Sequence, residues 1–69
     1  MLKIKDNVKL KDLEKFGFKL KQYFYMSYDY VAGGIMIDTK SRKIGVCEGV
    51  YIELLYDLIE AGLVEKVGE

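Results

Sequence analysis

The chain has 69 residues, 51% of them hydrophobic and 32% charged, a composition typical of one small folded domain. It contains no histidine and one cysteine, which excludes an internal disulfide and a zinc site of ordinary ligand set. The formal net charge of zero conceals an uneven distribution. Residues 1–21 hold seven lysines and three carboxylates (+4), whereas residues 44–69 hold one lysine and six carboxylates (−5). Because a surface of one sign steers partners of the opposite sign, this distribution favours an interaction role.

Charged residues interrupt every apolar stretch of the chain, which argues against membrane insertion. No apolar run approaches the roughly 18 residues of a membrane span, and the opening stretch MLKIKDNVKLK is charged throughout. We therefore expect a cytoplasmic protein with a reduced thiol. We also expect a single domain over residues 1–69 that holds neither a metal nor a cofactor.

Two elements are predicted near the start of the chain. Alternation of apolar residues with lysines over residues 2–5 predicts an edge strand. The helical spacing of Leu10, Leu13 and Phe16 then predicts a short helix. That helix is expected to end at Gly17, because glycine readily adopts positive φ.

The middle of the chain is predicted to form a three-stranded antiparallel meander. Apolar side chains alternate with other residues over residues 18–26, 35–38 and 43–47, and Thr39–Arg42 is predicted to be a turn. The segment Tyr28–Gly34 is interpreted as a looser connection, in which the two glycines permit a bend or a bulge.

The last third predicts the longest helix, over residues 50–61, with separated faces. The apolar side, which we expect to seal one face of the meander, consists of Tyr51, Leu54, Leu55, Leu58 and Ile59. The opposite side carries three carboxylates that we expect to point into solvent: Glu53, Asp57 and Glu60. Gly62 is expected to end the helix. A short strand over residues 63–67 follows and is placed to pair with residues 2–5.

Together these elements predict an α+β fold with a short N-terminal helix, a three-stranded antiparallel meander, one long amphipathic C-terminal helix and a short terminal strand. The predicted core consists of apolar side chains from every element: Leu13, Phe16, Phe18, Leu20, Phe24, Ile35, Ile37, Ile44, Val46, Leu54, Leu55, Leu58 and Leu63.

A second candidate surface lies on the predicted sheet, where Lys19, Lys21, Tyr23 and Tyr25 would project from one face. Lysines beside stacking aromatic rings are typical of single-stranded nucleic-acid platforms. Tyrosines also favour strands, where a helix or a second subunit often covers them. The balanced net charge further argues against phosphate binding, so nucleic-acid binding is kept as an alternative.

Catalysis receives little support from the residues. Cys47 would need an activating base or cation to act as a nucleophile, and a packed thiol is the commoner outcome at a strand end. The three helix carboxylates resemble a paired-carboxylate site, but an amphipathic helix produces the same pattern on its solvated side. We therefore expect no enzymatic activity.

Two segments, Leu10–Phe18 (LKDLEKFGF) and Leu55–Val67 (LYDLIEAGLVEKV), resemble a pattern in small uncharacterised proteins of phages and prophages of Gram-positive bacteria. The resemblance implies a cytoplasmic accessory protein made inside a bacterial host. It implies no catalytic residue.

Three functions follow from these patterns. The preferred one is a non-catalytic protein-binding module, in which Glu53, Asp57 and Glu60 face a basic partner or the tyrosines face an apolar one. A host protein, a defence component or a phage protein would be the target. The second is a single-stranded nucleic-acid binder that uses the lysine and tyrosine face. The third is a homo-oligomer, such as a homodimer, that buries a sheet face or an edge strand in a copy of itself.

Overall fold

A computed structural model describes residues 1–25, 27–47 and 49–67, with Tyr23 and Phe24 described in their backbone only. The elements, in chain order, are strand β1 (Leu2–Ile4), a 3-10 helix (Leu10–Phe16), β2 (Lys19–Phe24), β3 (Ser27–Ala32), β4 (Ile35–Asp38), β5 (Ile44–Val46), helix α1 (Ile52–Glu60) and β6 (Val64–Lys66). Within these residues the molecule is mostly sheet, with six strands and one α-helix of nine residues. The predicted α+β arrangement of a three-stranded meander and a long C-terminal helix is therefore wrong.

The strands form two antiparallel sheets that meet along β1. Strands β2 to β5 pair in sequence order, and β1 pairs with β6. A bridge between Lys3 and Lys43, and a hydrogen bond from the Ile4 amide to the Arg42 carbonyl (2.9 Å), place β1 beside β5. Strand β1 therefore has neighbours on both sides, so its assignment as an edge strand is wrong. Its predicted pairing with the terminal strand is confirmed.

Arg42, in the turn between β4 and β5, fastens the N-terminal segment to the sheet. Its guanidinium donates hydrogen bonds to the carbonyl oxygens of Lys5 (2.7 Å) and Val8 (2.6 Å). The Asp38 carboxylate accepts a hydrogen bond from the Lys40 amide (2.7 Å) within the same turn. The predicted turn is therefore confirmed, and it also holds a segment distant in sequence.

Strand β3 occupies the segment that was predicted to be a looser connection. Gly33 and Gly34 have φ of 52° and 79° and form the two-residue turn that joins the paired residues Ala32 and Ile35. A Cβ atom added at Gly34 would lie 3.0 Å from the Cα atom of Val50, so the turn packs closely against the segment before α1. A double glycine between two strand-like runs is a recognised hairpin signal, and the sheet has four strands because of this turn.

Both helices end with the same backbone arrangement. In each, the amide of a glycine with positive φ and the amide of the following apolar residue donate to carbonyl oxygens of the last turn. This pair of bonds is a Schellman motif. The bonds are Gly17 to Glu14 (3.1 Å), Phe18 to Leu13 (3.3 Å), Gly62 to Ile59 (3.0 Å) and Leu63 to Leu58 (3.2 Å). The predicted helix ends at Gly17 and Gly62 are confirmed.

The core joins one face of the four-stranded sheet to β1 and both helices. Its buried side chains are Ile4, Leu13, Phe18, Tyr30, Ile35, Ile37, Ile44 and Leu58. Ile4 and Tyr30 were missing from the predicted core, because residues 2–5 were assigned to an edge and residues 28–34 to a connection.

Two residues predicted to lie in the core are exposed. Leu20 is 51% and Val46 57% exposed, although the register directs both toward the covered face. Leu20 lies on the outer strand β2 and Val46 at the end of β5, where the covering layer does not reach. Four further residues from that prediction are only partly buried: Phe16, Leu54, Leu55 and Leu63. The predicted burial of Phe24 lies outside the described side chains.

Candidate protein-binding surface

Helix α1 exposes three large apolar side chains on one side. Ile52, Tyr56 and Ile59 are 47%, 61% and 44% exposed. Their i, i+4, i+7 spacing aligns them along the helix, and we call this set the apolar stripe. Neighbouring exposed apolar residues are typical of interaction sites, whereas single ones are normal on any surface.

The stripe lies beside a row of carboxylates on the same helix. Glu53, Asp57 and Glu60 are all exposed, and we call them the acidic face. With Glu53 at zero and about 100° per residue around the helix axis, the three carboxylates lie between about 340° and 40°. The residues of the stripe lie between about 240° and 300°. The buried Leu58 lies at about 140°, on the far side of the helix. One flank of the stripe is therefore acidic and the other meets the core.

Local helix stability does not account for the acidic face. The carbonyl end of a helix carries partial negative charge, so a carboxylate there is unfavourable. Glu60 occupies this end, and the last turn of α1 holds no basic residue. Glu53, in the first turn, is favourably placed and accepts a hydrogen bond from the Tyr51 hydroxyl (3.0 Å). The charge of Glu60 therefore has no counterpart within its own helix.

Pairing of β1 with β6 partly neutralises the opposite charges of the two chain ends. Lys3 lies opposite Glu65, and its Nζ atom lies 3.1 Å from the Asp6 carboxylate and 3.9 Å from that of Glu65. Among the residues that the structure describes, no ion pair involves the acidic face of α1. Among the described residues of the C-terminal third, the carboxylates without an ion pair are therefore those of the acidic face.

Contacts at both ends hold α1 in place. At its start, the Tyr51 amide donates to the Gly33 carbonyl (2.8 Å), so the β3–β4 turn fixes the first residue before the helix. At its end, the Schellman motif connects the helix directly to β6. In the middle, Leu58 is fully buried. A surface on such a fixed support needs little ordering when it binds a partner.

The two lysines of the second predicted surface share the sheet's outer face with carboxylates. Lys19 and Lys21 are exposed, and Lys21 lies directly opposite Asp29 on β3. Asp29 in turn lies opposite Asp38 on β4. Directly opposed residues project to the same side of a sheet. These two carboxylates lower the attraction of the face for phosphate groups.

The tyrosines of that surface do not follow the simple alternation that was expected. The register of β2 against β3 shifts between Gln22 and Phe24, which marks a bulge at Tyr23. Tyr25 lies in the turn after the strand and is 90% exposed. The predicted role of the Tyr23 side chain lies outside the described side chains. The bulge interrupts the alternation that would align Tyr25 with the lysines.

The thiol considered for catalysis lies on the surface, outside any helix. Cys47 is exposed, not packed, and α1 begins only at Ile52, so the thiol does not lie at a helix N-terminus. Within the described ranges, no group of three or more cysteine, aspartate or glutamate side chains is placed to hold a metal ion.

No protein-family model matches the chain, and no curated protein or solved structure is detectably similar to it. Across the part of the chain that the structure describes, neither helix is long and apolar enough to cross a bilayer.

Sequence reasoning found the acidic face but missed the apolar stripe. It assigned Tyr51 and Ile59 to the sealed side of the helix, and it did not single out Ile52 or Tyr56. Both assigned residues are exposed, at 57% and 44%. A signal was present, because the apolar residues of α1 span an arc of about 200°, wider than the roughly 100° that a helix needs to face one core.

Proposed function

We propose that this protein is a non-catalytic protein-binding module whose contact surface is the apolar stripe of α1 and the adjoining acidic face. The observation that carries the proposal is the exposure of Ile52, Tyr56 and Ile59 on one side of a fixed helix. Large apolar and aromatic side chains supply most of the binding energy at protein interfaces, and charged residues form the rim.

The spacing and charge of this surface indicate what kind of partner it would bind. Anchors at i, i+4 and i+7 suit an apolar groove, as in other helix-in-groove complexes. The acidic face suits lysine or arginine side chains along one border of that groove, because complementary charge raises the association rate and selects the partner. The partner is therefore a protein with a basic border beside an apolar groove.

The cellular setting forms part of the same proposal. The resemblance of LKDLEKFGF and LYDLIEAGLVEKV to small phage and prophage proteins supports an accessory role in the cytoplasm of a bacterial host. A host protein, a defence component or a phage protein then provides the basic groove.

Affinity capture from a bacterial lysate with matched variants tests this function. The wild-type chain should enrich a protein with a basic surface, and Ile52→Ser combined with Ile59→Ser should lose it. Asp57→Lys should weaken capture, most clearly at low salt. The control Lys11→Ser changes an exposed residue of the 3-10 helix and should leave capture unchanged. Recovery of the same proteins by the wild-type chain and the stripe variant would contradict the proposal.

A further inference from the structure

Strand β2 presents a free edge. In the four-stranded sheet it pairs with β3 alone, and it has six residues, whereas the outer strand β6 has three. The edge of an outer strand carries backbone N–H and C=O groups of alternate residues that can pair with an additional strand. Within the described residues, β2 is the outer strand long enough to bind a segment of several residues.

Side chains along β2 differ between its two faces. Lys19 and Lys21 are exposed on the outer face, and among the described residues neither takes part in an ion pair. Leu20, on the opposite face, is 51% exposed. It borders an open depression of about 390 Å³, whose other lining residues are Glu14, Gly17, Phe18 and Lys19. The strand therefore offers two lysines on its outer face and, beside Leu20, a depression that is lined by apolar Phe18 and Leu20 and by charged Glu14 and Lys19.

The same lysines disfavour pairing between two copies of β2. In an antiparallel pair of such strands, lysines of one copy would approach lysines of the other, and like charges across a strand pair are destabilising. The bulge between Gln22 and Phe24 limits regular pairing at this edge to residues 19–22 for any added strand. Lysines on an edge strand protect against self-association, but they attract a strand that carries carboxylates. Asp29 and Asp38 lie on β3 and β4, on the side of β2 away from its free edge, so Lys19 and Lys21 are the charges nearest to an added strand.

We propose that the edge of β2 binds an extended acidic segment of a partner protein, in which carboxylate side chains alternate with apolar ones. The carboxylates would lie beside Lys19 and Lys21, and an apolar side chain between them would lie beside Leu20 in the depression. Backbone hydrogen bonds to the strand edge supply affinity in this mode, and the alternating side chains supply specificity. This second contact does not depend on the apolar stripe of α1.

A synthetic peptide in which glutamate alternates with valine provides the probe. Hydrogen exchange of the full chain, followed by NMR, should show added protection of backbone amides within residues 19–22, before the bulge, when this peptide is present. Lys19→Glu combined with Lys21→Glu should weaken binding about tenfold, because reversing both charges replaces two exposed attractions with two repulsions. Lys40→Glu combined with Lys66→Glu is the matched control and should leave the peptide affinity unchanged, because these exposed lysines lie in the β4–β5 turn and on β6, away from β2.

Two further comparisons make the test decisive. A peptide in which lysine alternates with valine should give no protection, and Ile52→Ser in α1 should leave binding of the glutamate peptide intact. Equal protection by both peptides, or no protection of residues 19–22 by the glutamate peptide, would overturn the proposal. Loss of peptide binding in Ile52→Ser would also overturn it, because the two surfaces would then not be separate.

Discussion

The two helical segments of this chain share one sequence pattern but present different surfaces. LKDLEKFGF and LYDLIEAGL both read Leu-x-Asp-Leu-x-x-x-Gly followed by an apolar residue. The second leucine of each, Leu13 and Leu58, is fully buried, and both segments end in a Schellman motif. The shared residues therefore determine the core contact and the helix end.

The remaining positions of the pattern separate the two segments. On the 3-10 helix, Leu10 and Phe16 are partly buried against the core, and Lys15 lies 3.9 Å from Asp12. On α1, the variable positions of the pattern and the residues before it carry the apolar stripe and, together with the shared Asp57, the acidic face. The first helix shows that this pattern can be folded without exposing large apolar residues, so the stripe is not a requirement of the fold.

The largest effect is expected at the shared buried leucines. Leu13→Ala and Leu58→Ala should each lower the free energy of unfolding by about 2–5 kcal/mol, because both side chains are fully buried and leave a cavity. Denaturant unfolding measures both values. A cost below about 1 kcal/mol for either variant would show that the two segments do not share this core role.

The glycines of the two Schellman motifs should come next. Gly17 and Gly62 have φ of 91° and 78°, and an added Cβ atom would meet nothing within 4 Å at either position. Alanine should therefore cost about 1–2 kcal/mol at both, from backbone conformation alone. Gly45→Ala is the control, since this strand glycine has no positive φ and its nearest contact would be an ordinary one at 3.8 Å. Equal unfolding free energies for all three variants would contradict the shared helix end.

Substitution of one aromatic residue in each segment should distinguish an effect on stability from an effect on binding. Tyr56→Ser should change the free energy of unfolding by about 0.5 kcal/mol or less, because the side chain is 61% exposed, yet it should abolish partner capture. Phe16→Ser should cost more than about 1 kcal/mol, since Phe16 packs against the core. Thermal unfolding and capture, measured on the same samples, test both expectations. Retained capture by a folded Tyr56→Ser variant would contradict the role of the stripe.

The smallest effect concerns the charge at each helix end. Glu60→Lys should raise stability by about 0.5 kcal/mol at low salt, because it replaces an unfavourable charge in the last turn of α1. Lys15→Glu should lower stability by a similar small amount in the 3-10 helix. Both effects should shrink at high salt. A loss of stability in Glu60→Lys would show that the acidic face is needed for folding.

Local signals in the sequence were sufficient for the helix ends and for one turn. Gly17 and Gly62, each followed by an apolar residue, predicted both helix ends, and Thr39–Arg42 predicted the turn that the structure contains. These features depend on a few consecutive residues, which is why periodicity and turn chemistry identified them.

Apart from the pairing of β1 with β6, features that depend on distant contacts were not predictable in this way. The amide of Tyr51 bonds to Gly33, a residue of the β3–β4 turn, and α1 begins only at Ile52. Ile4 is buried because β1 lies between β5 and β6. Helical periodicity was sufficient to predict the acidic face. The stripe depends on how far the core extends around α1, and periodicity alone does not show this.

The role of the apolar stripe is tested most directly by site-specific photo-cross-linking in a bacterial lysate. A photoreactive amino acid replaces Tyr56 on α1 in one variant and Lys11 on the 3-10 helix in another, since both side chains are exposed. We expect a discrete cross-linked protein from position 56 that is absent from position 11. The same cross-linked products from both positions, or none from position 56, would contradict a partner-binding role for this helix.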